Sequence, residues 1–383
     1  MVAIKVMSVF GTRPDAIKMA PLVKELEKYP QIKSLVCVTA QHRQMLDQVL
    51  NIFNIKTDYD LDIMQERQTL EQITVKALQG LSDVFRKELP DIVLVHGDTT
   101  TCFVASLAAF YNKISIGHVE AGLRTFDKYF PYPEEMNRKL TGAMADLHFA
   151  PTNSNKKNLL NEGVKSENIY VTGNTVIDAL KTTVKENYIF ENQQLKNIQM
   201  NDQKIISVTA HRRENLGKPL ENICFALKEI AQEHPSCTII YSLHLNPAVQ
   251  ETAHSILDGC ERVHLIDPLS AQDMHNLIAR SYLVLTDSGG LQEEAPSLGK
   301  PVLVLRNETE RPEAVEAGTV RLAGTNFDRI VSMASELIEN DDEYQKMAKA
   351  VNPYGDGFAS KRICEAILHH FKIIDKRPED FSY

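Results

Sequence analysis

The chain has 383 residues, more than one ordinary hydrophobic core accommodates and a length that suits two α/β domains. Its 43% hydrophobic and 24% charged residues fit a soluble globular protein, and a net charge of −9 argues against a broad basic face for nucleic acid. No apolar stretch approaches the roughly 20 residues that span a membrane, and the start of the chain lacks the shape of a signal peptide, so a cytoplasmic location is expected.

Ile4 to Phe10 reads as a strand and Ala16 to Lys28 as a helix. Leu35 to Thr39 is a second strand, followed by helices over Arg43 to Phe53 and Leu70 to Lys87. Ile92 to His96 is a strand, Cys102 to Tyr111 a helix, and Ser115 to Val119 and Leu147 to Ala150 two more strands. Around Lys185 to Lys204 the composition turns to Asn and Gln with little periodicity, which reads as a linker or mobile connection. The pattern then restarts with strands at Ile205 to Thr209, Thr238 to Leu243, Val263 to Ile266, Tyr282 to Leu285 and Val302 to Leu305. Helical patterns cover Leu220 to Glu233, Ala271 to Ala279 and Ser360 to Phe371. Apolar Val/Ile/Leu strands alternating with helices predict parallel sheets covered on both faces. The expected architecture is two doubly wound domains facing each other across a cleft, with ligands outside the carboxyl ends of the strands. Six scattered cysteines without a C-x-x-C pair read as reduced, mostly buried thiols.

The turns after strands carry the chemistry-bearing residues. Ser288, Gly289 and Gly290 open a helix after an apolar run, an arrangement that presents backbone N–H groups to a phosphate and lets it approach closely. Glu293 and Glu294 follow after Leu291 and Gln292, and a carboxylate there can hold both hydroxyls of a ribose; equally, Ser288 can be a plain N-cap with acids that favour the helix dipole. Gly11 to Asp15 is neither a Walker loop nor a G-x-G-x-x-G turn. Arg13, with Lys18 one turn on, suits a cationic clamp for a diphosphate, or Arg13 pairs with Asp15 at the surface. Asp98, Glu120 and the pair Glu134 and Glu135 each follow a predicted strand or lie just beyond one. Each carboxylate has a structural reading, Asp98 as an N-cap for example, but three such segments in one half favour general acid–base work. In the second half His211, Arg212 and Arg213 follow a strand, and Arg311 another, as a phosphate-bearing ligand or a solvated Arg/Glu cluster would have them. The His-Gly-Asp run at 96–98 hints at a metal phosphoesterase, but the partner motifs are absent and no cluster has zinc spacing. No metal is expected.

The runs GTRPDAIKMAPL, VTAQHRQML, VHGDTTT, HVEAGLRT, PYPEEMNR, VTGNTVIDAL, TAHRREN, TDSGGLQEEAPSLGKPVLVLR, TERPEAVEAGT and NPYGDG follow in order from the first strand to about Gly357. In this the chain resembles the bacterial, non-hydrolysing UDP-N-acetylglucosamine 2-epimerases. The resemblance implies two Rossmann-like domains in a glycosyltransferase-B arrangement, residues 1–175 completed by a C-terminal helix in 360–383, and 176–359 binding UDP. It implies interconversion of UDP-N-acetylglucosamine and UDP-N-acetylmannosamine through elimination and re-addition of UDP, with a glycal intermediate and no cofactor or metal. Asp98, Glu120 and Glu134 match the family's catalytic carboxylates, and His211 its essential histidine. Arg13 and Lys18 match the cationic pair, Ser288, Gly289 and Gly290 the diphosphate loop, and Glu294 the ribose-holding residue. Gln41, Gln44, Arg67, Arg212 and His244 match positions at which one branch of the family binds a second, activating UDP-N-acetylglucosamine. A homodimer and a role in surface polysaccharide synthesis are also implied. A glycosyltransferase of the same architecture, a hydrolysing epimerase and a UDP-sugar sensor are the competing readings.

Overall fold

Side-chain alternation along the strands assigns the two faces of each sheet. The computed structural model describes residues 3–40, 43–63, 65, 68–200 and 203–383, with 43–45 through their backbone alone. The chain divides into two units, one running up to Thr182 and including Tyr354–Ser382, the other Thr183–Pro353.

The first unit holds seven parallel strands: β1 (Ile4–Phe10), β2 (Ile32–Val38), β3 (Tyr59–Asp60), β4 (Ile92–His96), β5 (Ser115–Val119), β6 (Leu147–Ala150) and β7 (Ile169–Val171). Their order is β3-β2-β1-β4-β5-β6-β7, so the strand order reverses between β1 and β4. In β1, Ile4, Val6 and Phe10 enter one core with Ile92 and Leu94 of β4, while Met7 and Val9 enter the other with Val93 and Val95. A period of two with apolar residues in both phases is what a sheet buried on both faces requires. The helix Ala359–His370 belongs to this unit: Ile363, Cys364, Ile367 and Leu368 join the core that contains Ile4 and Phe10. Phe358, its N-cap, makes no side-chain cap bond. Instead buried Asp178 accepts from the backbone N–H groups of Ala359 at 3.1 Å and Ser360 at 2.8 Å. Beyond this helix Phe381 N donates to the Val171 carbonyl at 2.7 Å, and Val171 N to Asp380 Oδ1 at 3.0 Å.

The second unit repeats the plan with six parallel strands: β8 (Lys204–Thr209), β9 (Cys237–Ser242), β10 (Val263–Ile266), β11 (Leu283–Thr286), β12 (Val302–Val304) and β13 (Val320–Leu322). The order is β10-β9-β8-β11-β12-β13, with the reversal between β8 and β11. These are the two doubly wound, Rossmann-like sheets expected from the sequence. In such sheets the carboxyl ends on either side of the reversal leave room for a ligand.

The expected linker at Lys185 to Lys204 is a correction. Its described residues pack on the second sheet through Phe190 and Leu195, which join Ile205, Ile240 and Ile266 in a small core. The Asp273 carboxylate accepts from Glu191 N, Asn192 N and the Tyr188 hydroxyl, each at 2.9 Å, and a short helix, Gln193–Asn197, follows. Two buried apolar side chains five residues apart leave no periodic trace in a polar stretch.

Candidate active site

Three turns of the first unit lie side by side at the carboxyl ends of β1, β4 and β5. After β1, a Cβ on Gly11 would stand 2.1 Å from Thr39 Oγ1 and 2.5 Å from Thr101 Oγ1, so only glycine fits. Thr12 caps the helix Arg13–Leu26, which sets Arg13 at its first position. Arg13 has no hydrogen bond or ion pair among the described residues. The Arg13–Asp15 surface pair does not form: Asp15 is buried, and its Oδ2 accepts the Thr99 hydroxyl at 3.1 Å.

After β4, Thr99 rather than Asp98 caps the next helix, Thr100–Tyr111, accepting from Cys102 N at 3.2 Å. Asp98 instead forms an ion pair with Arg138. Burial pushes the Asp98 carboxyl above the usual carboxylate range; Arg138 opposes that push, and Glu120 and Asp15 add to it. After β5, Glu120 sits at φ +63°, in the left-handed region that costs a non-glycine residue about 1–3 kcal/mol. That backbone directs its carboxylate inward, where Oε2 accepts from Asn174 Nδ2 at 2.9 Å and pairs with the Lys18 ammonium.

The adjacent glutamates in the helix Glu134–Met144 do different things. Glu135 is fully buried and accepts from Thr125 N and Phe126 N, each at 3.1 Å. Glu134 is half-buried and has no hydrogen bond or ion pair among the described residues. Arg138, on the same helix, reaches both Asp98 and Glu135. His118 of β5 donates from Nε2 to the Gly97 carbonyl at 2.7 Å, and burial pushes its pKa down to about 3, so it is neutral throughout the physiological range.

In the second unit one carboxylate ties two turns together. Asp287, fully buried after β11, accepts at Oδ2 from His211 N and Arg212 N at 2.7 Å each and from Asn215 Nδ2 at 3.0 Å. The turn after β8 is thereby fixed to the turn after β11. The His211 ring stacks on His244, centroids 5.0 Å apart and planes 23° apart. Burial pushes the His211 pKa below its ordinary value; Asp287 pulls the other way, while His244 and Arg212 add to the lowering.

Ser288 is the N-cap of the helix Gly289–Ser297 by position, but its side chain makes no cap bond. The helix start is thus left to its backbone N–H groups, and a Cβ on Gly289 would stand 3.6 Å from Arg311 Nη2. Arg311 is held there by an ion pair with buried Glu293. Glu294 lies beside Gly290 and 3.3 Å from His275 Nε2, whose Nδ1 is 2.8 Å from the Thr183 hydroxyl. An uncapped helix start next to an arginine and a histidine is chemically suited to phosphate.

The first unit therefore gathers Lys18, Asp98 and Glu120, and the second gathers His211, Arg212, His244, Ser288, Gly289 and Arg311, with Gly290 beside Glu294. Gln41, Arg67 and the Gln44 side chain lie outside the described residues. Arg138, Asn174 and Asp287 were not singled out from sequence. For Asp287 a signal existed, an acid wedged between a strand and a glycine pair; for Arg138 and Asn174 only the fold supplies the contact. Among the described residues no cluster of His, Cys, Asp or Glu could hold a metal ion, and no helix is long and apolar enough to cross a membrane.

Residues 24–368 match the sequence model of the UDP-N-acetylglucosamine 2-epimerase family. The chain belongs to that family. UDP-N-acetylglucosamine 2-epimerase of Bacillus subtilis is 59% identical to it over 382 residues, covering 100% of both chains. The Escherichia coli enzyme of that name is 54% identical over 372 residues, 96% of this chain and 99% of its own. Among solved structures, UDP-GlcNAc 2-epimerase from Neisseria meningitidis bound to UDP-GlcNAc superposes with a TM-score of 0.84 at 52% identity, over 95% of this chain and 100% of that one. The 2-epimerase family thus spans both units, and both gathered clusters fall within the matched residues or just before them.

Proposed function

We propose that the chain interconverts UDP-N-acetylglucosamine and UDP-N-acetylmannosamine without hydrolysis. Asp98 and Glu120 carry the reading: two carboxyl groups at adjacent strand ends, in opposed environments. Asp98 is pushed toward its protonated form by burial, whereas Glu120 has the Lys18 ammonium against it. A pair so differentiated suits acid and base roles.

A carboxylate takes the C2 proton, the C2–H electron pair becomes the C1=C2 bond, and the C1–O bond breaks with its electrons leaving on UDP. A carboxylic acid then delivers a proton to the opposite face of C2 as the UDP oxygen re-forms the bond to C1. Asp98, Glu120 and Glu134 serve these proton transfers, which general acid–base catalysis accelerates by about 10² to 10⁴-fold. Arg13, Lys18, His211, Arg311, the Ser288 hydroxyl and the N–H groups of Gly289 and Gly290 stabilise the departing diphosphate, the Ser288 N–H itself being held by the Thr286 hydroxyl oxygen at 2.9 Å. Glu294 holds the ribose. The reaction draws on no metal or cofactor, and the product feeds surface polysaccharide synthesis from a cytoplasmic homodimer.

Proton NMR of the protein with UDP-N-acetylglucosamine in D₂O tests this. UDP-N-acetylmannosamine with deuterium at C2 is expected. Free UDP with free sugar would mean a hydrolysing enzyme, and unchanged substrate would favour a transferase or a sensor. Substrate activation is a second element of the proposal, supported by Arg212 and His244 flanking His211. A second UDP-N-acetylglucosamine engaging Gln41, Gln44, Arg67, Arg212 and His244 would meet the residue that stabilises UDP. Pure UDP-N-acetylmannosamine should then convert with a lag that a trace of its epimer removes.

A further inference from the structure

The two oxygens of the Glu294 carboxylate have different neighbours. Oε1 lies beside Gly290, 3.3 Å from where a Cβ there would stand, and Oε2 lies 3.3 Å from His275 Nε2. The side chain thus reaches back along its own helix to the glycine pair, while His275 approaches it from a second helix, Ala271–Arg280.

His275 is 3% exposed and is held at its other nitrogen, where Nδ1 is 2.8 Å from the Thr183 hydroxyl. Thr183 is buried, and its carbonyl accepts from Asn276 Nδ2 at 2.7 Å. Asn276 Oδ1 in turn accepts from Lys185 N at 2.9 Å. Adjacent residues of one helix therefore fix Thr183, and a turn of the His275 ring would break its contact with that hydroxyl. An Nε2–H is present in the imidazolium and in one of the two neutral tautomers, so donation to Glu294 requires no particular charge on the ring. The Thr183 hydroxyl serves Nδ1 as donor or acceptor in either case.

A ribose offers two vicinal hydroxyls, and one carboxylate meets both only when its plane is turned towards them. A glutamate side chain has several rotatable bonds, and ordering them on binding weakens affinity. A neighbour that orders them before the nucleotide arrives removes that loss. A carboxylate has about four acceptor positions, so one bond from a histidine is compatible with a diol bound to the same group.

We propose that His275 is the positioning residue for the ribose. Its Nε2–H holds the Glu294 carboxylate in the plane that accepts the 2′ and 3′ hydroxyls, and so sets the preference for a ribonucleotide over a deoxynucleotide. This role rests on Glu294 holding the ribose. His275 touches no reacting atom and acts through Glu294. The ribose is remote from C2, so the contact strengthens ground-state and transition-state binding alike and its loss shows in KM.

Calorimetry of UDP and 2′,3′-dideoxy-UDP with wild type, His275→Asn and His275→Gln tests this. Gln carries an amide N–H to about the place of Nε2, whereas Asn ends near the place of Nδ1. Wild type should prefer UDP by about 100-fold, roughly tenfold for each hydroxyl on a charged acceptor. His275→Asn should weaken UDP about 10-fold and the dideoxy analogue less than about twofold, and His275→Gln should restore most of the preference. With UDP-N-acetylglucosamine, His275→Asn should raise KM about 10-fold while kcat stays within about threefold. A His275→Asn protein that melts with wild type and keeps the full preference overturns the proposal. So does one that weakens UDP and its dideoxy analogue equally, which marks a merely structural histidine. If neither variant folds, ¹⁵N NMR of wild-type His275 decides: a proton on Nε2 in the UDP complex supports the role, and a bare Nε2 overturns it. Wild type that binds both nucleotides equally removes the ribose role of Glu294 itself, which is distinguishable from a variant that keeps the preference.

Discussion

The two units share one topology and invert its electrostatics. At the first sheet's reversal the turns present acids, each seated against a cation: Glu120 against Lys18 and Asp98 against Arg138. At the second sheet's reversal the turns present cations and N–H donors, each seated against an acid: Arg311 against Glu293, and the backbone of His211 and Arg212 against Asp287. One fold thus gathers ion-paired carboxyl groups at one sheet and cations with N–H donors at the other. The difference lies in a few residues after each strand, which is where α/β sheets leave sequence free to vary.

If that division holds, substitutions should separate chemistry from nucleotide binding. Asp98→Asn should lower kcat by about 10² to 10⁴-fold while UDP affinity, read by calorimetry, stays within about twofold. Lost UDP binding in this variant would collapse the division. Asp287→Asn should do the reverse, weakening UDP binding by about 10-fold or more, because the N–H groups of His211 and Arg212 lose a charged acceptor whose bonds contribute about 1.5–3 kcal/mol. A smaller effect concerns protonation. His211 is pushed below its ordinary pKa, so near pH 7 the free enzyme holds it neutral, and a bound diphosphate favours the imidazolium. UDP binding should therefore take up protons, and affinity should rise as pH falls from 8 towards 6, by at most about tenfold per pH unit. Calorimetry in buffers of different ionisation enthalpy reads the uptake, which His211→Asn should abolish. The smallest expected change is in stability. Ser288→Ala should cost under about 0.5 kcal/mol because that side chain caps nothing, whereas Thr99→Ala, which removes a cap, should cost about 1 kcal/mol. Equal losses in urea denaturation would return Ser288 to a structural role.

Strands of four or more residues with apolar runs were legible in the sequence: β1, β4, β5 and β6 inside the first sheet, and β10 at the edge of the second, have the expected bounds. The short strands β3, β7 and β13, of two or three residues, carry too few side chains to show a period. Helix starts were expected late, at Ala16 and Cys102, because the first turns carry polar residues: Arg13 to Asp15 in one, Thr100 and Thr101 in the other. Turns with chemistry were legible as clusters of acids or bases after strands. Which of two neighbouring acids is structural was not. Glu134 and Glu135 read alike in sequence, and only the backbone of Thr125 and Phe126, folded against one of them, tells them apart. The same holds for Asp98 and Thr99, either of which can cap a helix on paper.

The helix Ala359–His370 carries a consequence for synthesis. Ile363, Cys364, Ile367 and Leu368 fill a core whose other walls were translated before residue 180, and Asp178 waits for the N–H groups of Ala359 and Ser360. The first unit to leave the ribosome is therefore the last to be finished, open along one side until the whole of the second has been made. A stop codon just before Ala359 would leave the second unit whole and strip the first of a helix, the cap acceptor's partners and the tail along β7. The resulting fragment would expose that core as an apolar face, a target for chaperones and proteases rather than a slower enzyme.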